Sequence, residues 1–387
     1  MDRRSFLKQS GMAALAGAAA PMVFSCDAGG RGSACNGLTV KSSYKTKVLV
    51  VGGGPAGVCA AIAAARLSLS VSTVSRALSG DRNINAETRG RVLAAAEEMG
   101  YTPNPAAKSM RGGRSGAIGV LVPEMETHYT IQVIKGIQHV FYPKGIRVII
   151  ADAAEDPAVE RENLLMMERF MVDGIIFCQC SYQHNADLLG ALQEHGLPMV
   201  SFGRIPYGLA VSQVLVDDYA KSFFVVEKMI QSGCRHICHF RGPDNIYNST
   251  ERARGFRDVM GKYGLPFEER HGGLGMEDGY VAVDRLVAEG LDVDGIFAFN
   301  EAVGVGAMNH LRELGFRIPE DISVAAFSGT DLSKVVFPQL TSVEPPMFEM
   351  GRTAAQMLIE QVLDPATPVR TVVLNAEINL RGSTGKK

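Results

Sequence analysis

Short apolar runs punctuate the chain beyond residue 116, and stretches with apolar positions at helical spacing separate many of them. The strand-like runs cover 118–122, 147–151, 174–177, 199–202, 237–240, 295–299 and 323–327. Helical patterns cover 220–231, 251–262, 280–288, 303–314 and 347–363. This alternation predicts an α/β fold of parallel sheets covered by helices. In such open sheets ligands bind beyond the carboxyl ends of the strands, which marks the loops at Pro123, Arg204, Asn300 and Ser328.

Upstream the pattern is purely helical. Ser70 is a good N-cap, Val74 and Leu78 share one face of the helix that follows, and Ala77 lies beside them. Ser72, Ser75, Arg76 and Ser79 lie on or near the other face. Hydroxyls that bond phosphates and a guanidinium that grips a guanine suit a helix laid in a major groove. A second helix opens at Asn85, carries Val92, Leu93, Ala96 and Met99 inward, and ends at Gly100. Beyond it, Asn104 can cap and Pro105 can take the first position of a short helix that stops at Gly112-Gly113. Too short to stand alone, it suits a hinge that enters a minor groove and wedges an apolar side chain between base steps.

The N-terminal pattern is of another kind. A β-branched run at 47–51 leads into Gly52-Gly53-Gly54-Pro55-Ala56-Gly57 and an Ala-rich helix to about Arg66. Gly52 allows the tight turn, Gly54 admits a pyrophosphate and Gly57 lets helix pack on strand. The stretch resembles the opening of exported FAD-dependent oxidoreductases. The second half of that site is missing, because an acid is needed about 20 residues on and the first one is Asp81. Gly52, Gly54 and Gly57 are therefore read as vestigial, and no cofactor is expected. Ahead of them, Arg3-Arg4 resembles a twin-arginine export motif, an apolar stretch spans 12–24, and Cys26 closes a lipobox-like sequence.

Charge localises the chemistry. The net charge is -2, yet between Leu67 and Ser115 seven basic side chains face four acidic ones, a local basic footprint. Seven cysteines, odd in number and not laddered, point to free thiols in a reducing compartment. Cys234, His236 and Cys238 would share one face of an extended segment. Together with Cys178 and Cys180 they read as strand residues or buried thiols, with no metal expected. Asp152, Glu155, Asp156, Glu160 and Glu162 read as a solvated loop and helix start. No catalytic set with a supporting motif is present, so no enzyme is expected.

Ser70-Val71-Ser72-Thr73-Val74-Ser75-Arg76-Ala77-Leu78, the Tyr101-x-Pro103-Asn104 element and the sequence after Gly116 resemble the lactose/galactose-repressor (LacI/GalR) family of transcription regulators. The resemblance implies a small all-α helix-turn-helix headpiece and a two-lobed sensor like a periplasmic binding protein. It implies a double-stranded DNA operator, a small-molecule effector with sugar as the leading class, and a homodimer. By position, Val71, Ser72 and Arg76 would face bases, and Ser70, Thr73, Ser75 and Asn83 would meet phosphate or groove edge. Asn104, Ala107 and Met110 would act in the hinge, with Met110 where the family usually has its wedge Leu. Arg252-Ala253-Arg254-Gly255-Phe256 matches the family's RxxGF element, whose Arg clamps ligand. Asn300-Glu301 stands where Asn-Asp is usual, and Phe327-Ser328 where Phe-Asp is common. Effector contacts are thus expected at Pro123, Arg204, Arg252, Asn300, Glu301 and Ser328.

The expected divisions are a signal-like segment at 1–26, a linker at 27–45, a truncated strand-turn-helix at 46–66, the headpiece at 67–100, the hinge at 101–115 and the sensor at 116–387. The family's first headpiece helix is replaced by residues of the flavin-like helix. Ile62 takes its usual Asp position and Ser68 the turn Gly, where positive φ is easiest for glycine. Two sequence types therefore join near 66–69. A repressor works in the cytoplasm, which conflicts with the export signal. An exported ligand-binding protein with an inert headpiece and a flavoenzyme are the alternative readings.

Overall fold

The computed structural model describes residues 66–78, 80–98, 115–290 and 292–385. The signal-like segment, the glycines at 52, 54 and 57, and Asn104, Ala107 and Met110 lie outside them. The chain divides into two units, Met1–Asn104 and Pro105–Lys387.

In the first unit, helix α1 (Val71–Leu78) and helix α2 (Ala86–Glu98) pack around Val74, Ala77 and Val92, with Leu67, Leu69, Leu78 and Ile84 against them. Asn85 Oδ1 caps α2 by accepting from the Thr88 amide at 2.7 Å. Leu93, expected inward, is 49% exposed, and Ala95 takes its place beside Ala96. At helical spacing from Val92 the inward positions are i+3 and i+4, and the next residue points away.

The second unit begins with β1 (Ala117–Val122), α3 (His128–Phe141), β2 (Arg147–Asp152), α4 (Pro157–Arg169), β3 (Ile175–Phe177), α5 (Ala186–Glu194), β4 (Met199–Phe202) and β5 (Ser212–Val216). It continues with α6 (Asp218–Gln231), β6 (Ile237–Arg241), α7 (Tyr247–Tyr263), β7 (Phe267–His271), α8 (Met276–Ala288), β8 (Gly295–Ala298), α9 (Glu301–Glu313) and β9 (Ser323–Ala326). It closes with α10 (Leu332–Val335), β10 (Thr341–Glu344), α11 (Met347–Leu363), β11 (Thr371–Leu374) and β12 (Glu377–Asn379). Two sheets result, in the orders β11-β5-β4-β3-β1-β2 and β12-β10-β9-β8-β6-β7. Their pairings are parallel except β10 with β12. Each sheet defines a lobe.

Helices cross where glycine removes the side chain. A Cβ on Gly136 of α3 would strike the backbone of Phe348 and Arg352 on α11, and one on Gly255 of α7 would strike the Tyr219 carbonyl on α6. Two expectations change. The acidic run is not a solvated stretch throughout: Asp152, Asp156 and Glu162 are exposed, but Glu160 is fully buried. Its carboxylate accepts from the Cys180 amide at 2.7 Å and Asn185 Nδ2 at 2.8 Å, joining α4 to the loop after β3. Nor do Cys234 and Cys238 share a face. Cys234 precedes β6 and packs with Met229 and Ile237, whereas Cys238 packs in the opposite core with Val283 and Ile296. Burial pushes the Cys238 thiol up to about 12.

Candidate functional site

Two surfaces carry the residues of interest. On the first, Ser70 Oγ accepts from the Thr73 amide at 3.1 Å and lies 2.8 Å from the hydroxyls of Ser72 and Thr73. Ser70 is therefore the cap of α1. With Val74 and Ala77 turned into the core, Ser72 and Arg76, one helical turn apart, stand exposed on the outer face. Thr73 and Ser75 are half-buried at its flanks, and Asn83 is exposed in the turn after α1, its amide donating to Asp81 Oδ1. Of Val71 only the helical position is described.

Before α1, Ser68 has a φ of +55°. The turn does require the left-handed conformation that a glycine would hold most easily. Arg91 Nη2 donates to the Leu67 carbonyl at 3.3 Å and Arg66 pairs with Glu98 at 3.5 Å, so the residues ahead of α1 are tied to α2.

The second surface lies at the carboxyl ends of the strands. Arg252, on α7, is buried between the rings of Phe299 and Phe327, its guanidinium carbon 4.6 and 3.8 Å from their centres. Nε donates to Asp218 Oδ1 at 2.7 Å and Nη1 to the Phe299 carbonyl at 2.6 Å. Nη2 makes no hydrogen bond among the described residues. Asp218 Oδ2 accepts from Asn248 Nδ2 at 2.8 Å, and that same amide group reaches the Gly203 carbonyl in the other lobe at 3.0 Å. Burial pushes the Asp218 carboxyl above its ordinary range, against the pull of Arg252 and Asn248. A small recess beside this pair is lined by Gly203, Ile205, Asp218, Tyr219, Tyr247 and Glu251.

The other expected effector residues divide. Arg204, after β4, faces the same region from the first lobe. Tyr129 lies within electrostatic reach of Arg204, Arg252 and Asp218, and its phenol is raised mainly by burial. Ser328 follows Phe327 at a φ of +59°, half-buried. Pro123 is buried, with its carbonyl accepting from the Glu155 amide at 2.6 Å. Asn300 caps α9: its Oδ1 accepts from the Val303 amide at 2.9 Å and its Nδ2 donates to the Leu274 carbonyl at 2.7 Å. Glu301 is buried, and its carboxylate accepts from the amides and hydroxyls of both Thr330 and Ser333. It clamps the loop that carries Ser328.

Sequence reasoning missed Asp218, Asn248, Tyr129 and Gln179. The buried Oδ1 of Asn248 and Oε1 of Gln179 have no partner among the described residues, two acceptors for which a hydroxyl is the natural complement. The one available signal was position, since Gln179 lies two residues beyond a strand end and Asp218 opens a helix after another.

A helix-turn-helix unit joined to a two-lobed α/β body with polar groups gathered at its strand ends defines a ligand-sensing DNA-binding regulator. Family models agree: "Bacterial regulatory proteins, lacI family" matches residues 64–104, and "Periplasmic binding protein-like domain" matches 226–384. The first segment is thus similar to the lacI family of regulators and the second to periplasmic binding proteins. It is 27% identical to the ribose operon repressor of Halalkalibacterium halodurans over 76% of this chain and 87% of that one. It is 26% identical to the transcriptional repressor CytR of Escherichia coli K12, over 83% and 94%. Among solved structures, the regulator CelR in complex with cellobiose shares 25% identity at a TM-score of 0.65, over 84% and 99%. The lac repressor dimer bound to operator and anti-inducer shares the fold at a TM-score of 0.75 and 22% identity, over 84% and 98%.

Proposed function

We propose that this chain is a ligand-responsive repressor that reads a double-stranded operator through α1, acts as a homodimer in the cytoplasm, and senses a carbohydrate or related small metabolite between its lobes. It is not an enzyme. The observation that carries the sensing half is Arg252, fixed between two phenyl rings by Asp218 and a carbonyl, with Nη2 left to bond a ligand oxygen. Ribose and cellobiose, named for similar proteins, are the first candidates. The exposed Ser72 and Arg76 carry base reading, with Ser70, Thr73, Ser75 and Asn83 at the backbone and Met110 as the wedge. Val335 and Phe337, 75% and 79% exposed on and beside α10, offer an apolar patch suited to a second copy.

The test is fluorescence anisotropy on an operator selected from random DNA, with and without D-ribose or cellobiose. Wild type is expected to change its operator affinity with effector. Arg252→Lys, which keeps the charge of the buried pair but loses the planar fork, is expected to bind operator normally and respond weakly. An unchanged response refutes the role of Arg252, and absence of any selected operator refutes the repressor reading. The export-like N-terminus motivates a second reading, an envelope-anchored binding protein, which predicts membrane fractionation with a lipidated Cys26.

A further inference from the structure

Arg204 offers a ligand very little. Its Nη1 and Nη2 donate to the two Glu155 carboxylate oxygens at 2.9 and 2.6 Å, and Nη1 also reaches the carbonyls of Gln179 and Cys180 at 2.9 and 3.0 Å. The pair is sheltered, with the side chains 16% and 26% exposed. The backbone that delivers Glu155 is itself costly. Ala154 and Glu155 have φ of +49° and +55°, the left-handed region that disfavours side chains. Glycine would make this turn with less strain but would bring no carboxylate.

The opposite lobe repeats the arrangement, since Arg252 carries Asp218. Each of these two cations at the cleft therefore has a tethered anion already in place. To pair bidentately with either guanidinium, a carboxylate or phosphate on a ligand would have to displace its partner and leave that sheltered carboxylate uncompensated. A hydroxyl faces no such competition, and the orphan acceptors on Gln179 and Asn248 favour a hydroxyl donor.

We propose that Glu155 is a specificity-determining residue: by occupying Arg204, it restricts the cleft to uncharged, hydroxyl-bearing ligands and rejects their carboxylate- or phosphate-bearing counterparts. The proposal rests on the sensor reading above and adds the charge of the effector to it. Glu155 acts through Arg204 and makes no contact with ligand.

The test is thermal unfolding of the full chain with inorganic sulfate as an anion probe, against chloride at equal ionic strength. Two matched pairs accompany it, D-ribose with D-ribose 5-phosphate and D-glucose with D-glucuronate. In Glu155→Gln, sulfate is expected to bind roughly tenfold more tightly than in wild type, because a charge-assisted donor pair is released. The gain is expected to vanish in the double variant Glu155→Gln/Arg204→Gln, where a merely structural role for Glu155 would leave it. Should Glu155→Gln not fold, Glu155→Asp draws the carboxylate back by one methylene and is expected to show a smaller gain of the same sign. An equal sulfate response in wild type and variant overturns the proposal, as does wild type binding the anionic member of a pair as well as the neutral one. An Arg204-dependent gain supports it whichever sugar is the effector. Failure of the sensor reading shows separately, as operator binding that no small molecule alters.

Discussion

Ser68→Gly is expected to stabilise the headpiece. Ser68 is exposed, sits at a φ of +55° immediately before α1, and is flanked by Leu67 and Leu69, which pack on Val74, Ala77 and Val92. Glycine removes a left-handed penalty of about 1 to 2 kcal/mol. It also returns some entropy to the unfolded chain, costing up to about 1 kcal/mol. The balance is a gain on the order of 1 kcal/mol, confined to a small unit with few buried side chains. Hydrogen exchange of the full chain, read on peptides covering 70–98, isolates that unit from the sensor. A gain of about 1 kcal/mol slows exchange of the α1 and α2 amides roughly fivefold and leaves those of the sensor sheets unchanged. Ser68→Ala, which keeps the Cβ at the same φ, is expected to give no protection. Equal exchange in Ser68→Gly and wild type, or faster exchange, refutes the idea that this turn is strained.

Arg76→Ala is expected to weaken binding to the selected operator by about 1 to 3 kcal/mol and to relax preference at one base pair, read by anisotropy on single-base operator variants. Glu301→Ala leaves the amides and hydroxyls of Thr330 and Ser333 without their acceptor, and a loss of about 2 to 4 kcal/mol in urea unfolding is expected, with Glu301→Gln losing less. His239 is fully buried against Phe297 and Phe256, its Nδ1–H donating to the Phe297 carbonyl, and burial pushes it down to about 3. A depressed folded pKa means that its contribution is whole above the unfolded value near 6.5 and is lost as pH falls from there toward 3. Between pH 7 and pH 4.5, wild type should lose about 2 to 3 kcal/mol more stability than His239→Gln, and parallel pH profiles would refute this.

The strand ends were legible because buried parallel strands are written as continuous apolar runs, as in the fully buried Ile175–Phe177 and Ser323–Ala326. Of the four edge strands β2 was, but β7, β11 and β12 were not. In β7, Phe267–His271, charged side chains interrupt the run, because Arg270 pairs with Glu268 and Glu289 at the sheet margin. Of helix α4 only the start was legible, because Arg161, Glu162 and Arg169 leave it a narrow apolar stripe at Leu164 and Met167. The RxxGF element was legible in full, and the fold explains its spacing. Arg252 enters the cleft, Gly255 meets the α6 backbone three residues on, and Phe256 enters the core one residue later. The partners of each Arg were not legible, since Asp218 lies 34 residues from Arg252 and Glu155 lies 49 from Arg204. Glu155 looked solvated because five acids crowd its stretch, and sequence does not say which of them the chain turns inward.

The join near 66–69 can be weighed in the same physical terms. The family match begins at residue 64, just ahead of the segment where the flavin-like pattern ends. From Arg66 onward the chain makes the contacts a supporting segment should make: Leu67 and Leu69 on the headpiece core, and the Leu67 carbonyl on Arg91. What it lacks is the glycine. The Arg66–Glu98 pair, with side chains 58% and 73% exposed, adds little to offset a strained serine. The apolar contacts at Leu67 and Leu69 are therefore what hold the turn in place. An oriented α1 needs that turn, so DNA reading is expected to depend on Leu67 and Leu69 through the turn they pack. Leu67→Ala or Leu69→Ala should weaken operator binding in parallel with the loss of amide protection in α1. Effector binding in the separate sensor unit should be unchanged. Loss of operator binding with α1 still protected would instead mean that these leucines act at the DNA itself.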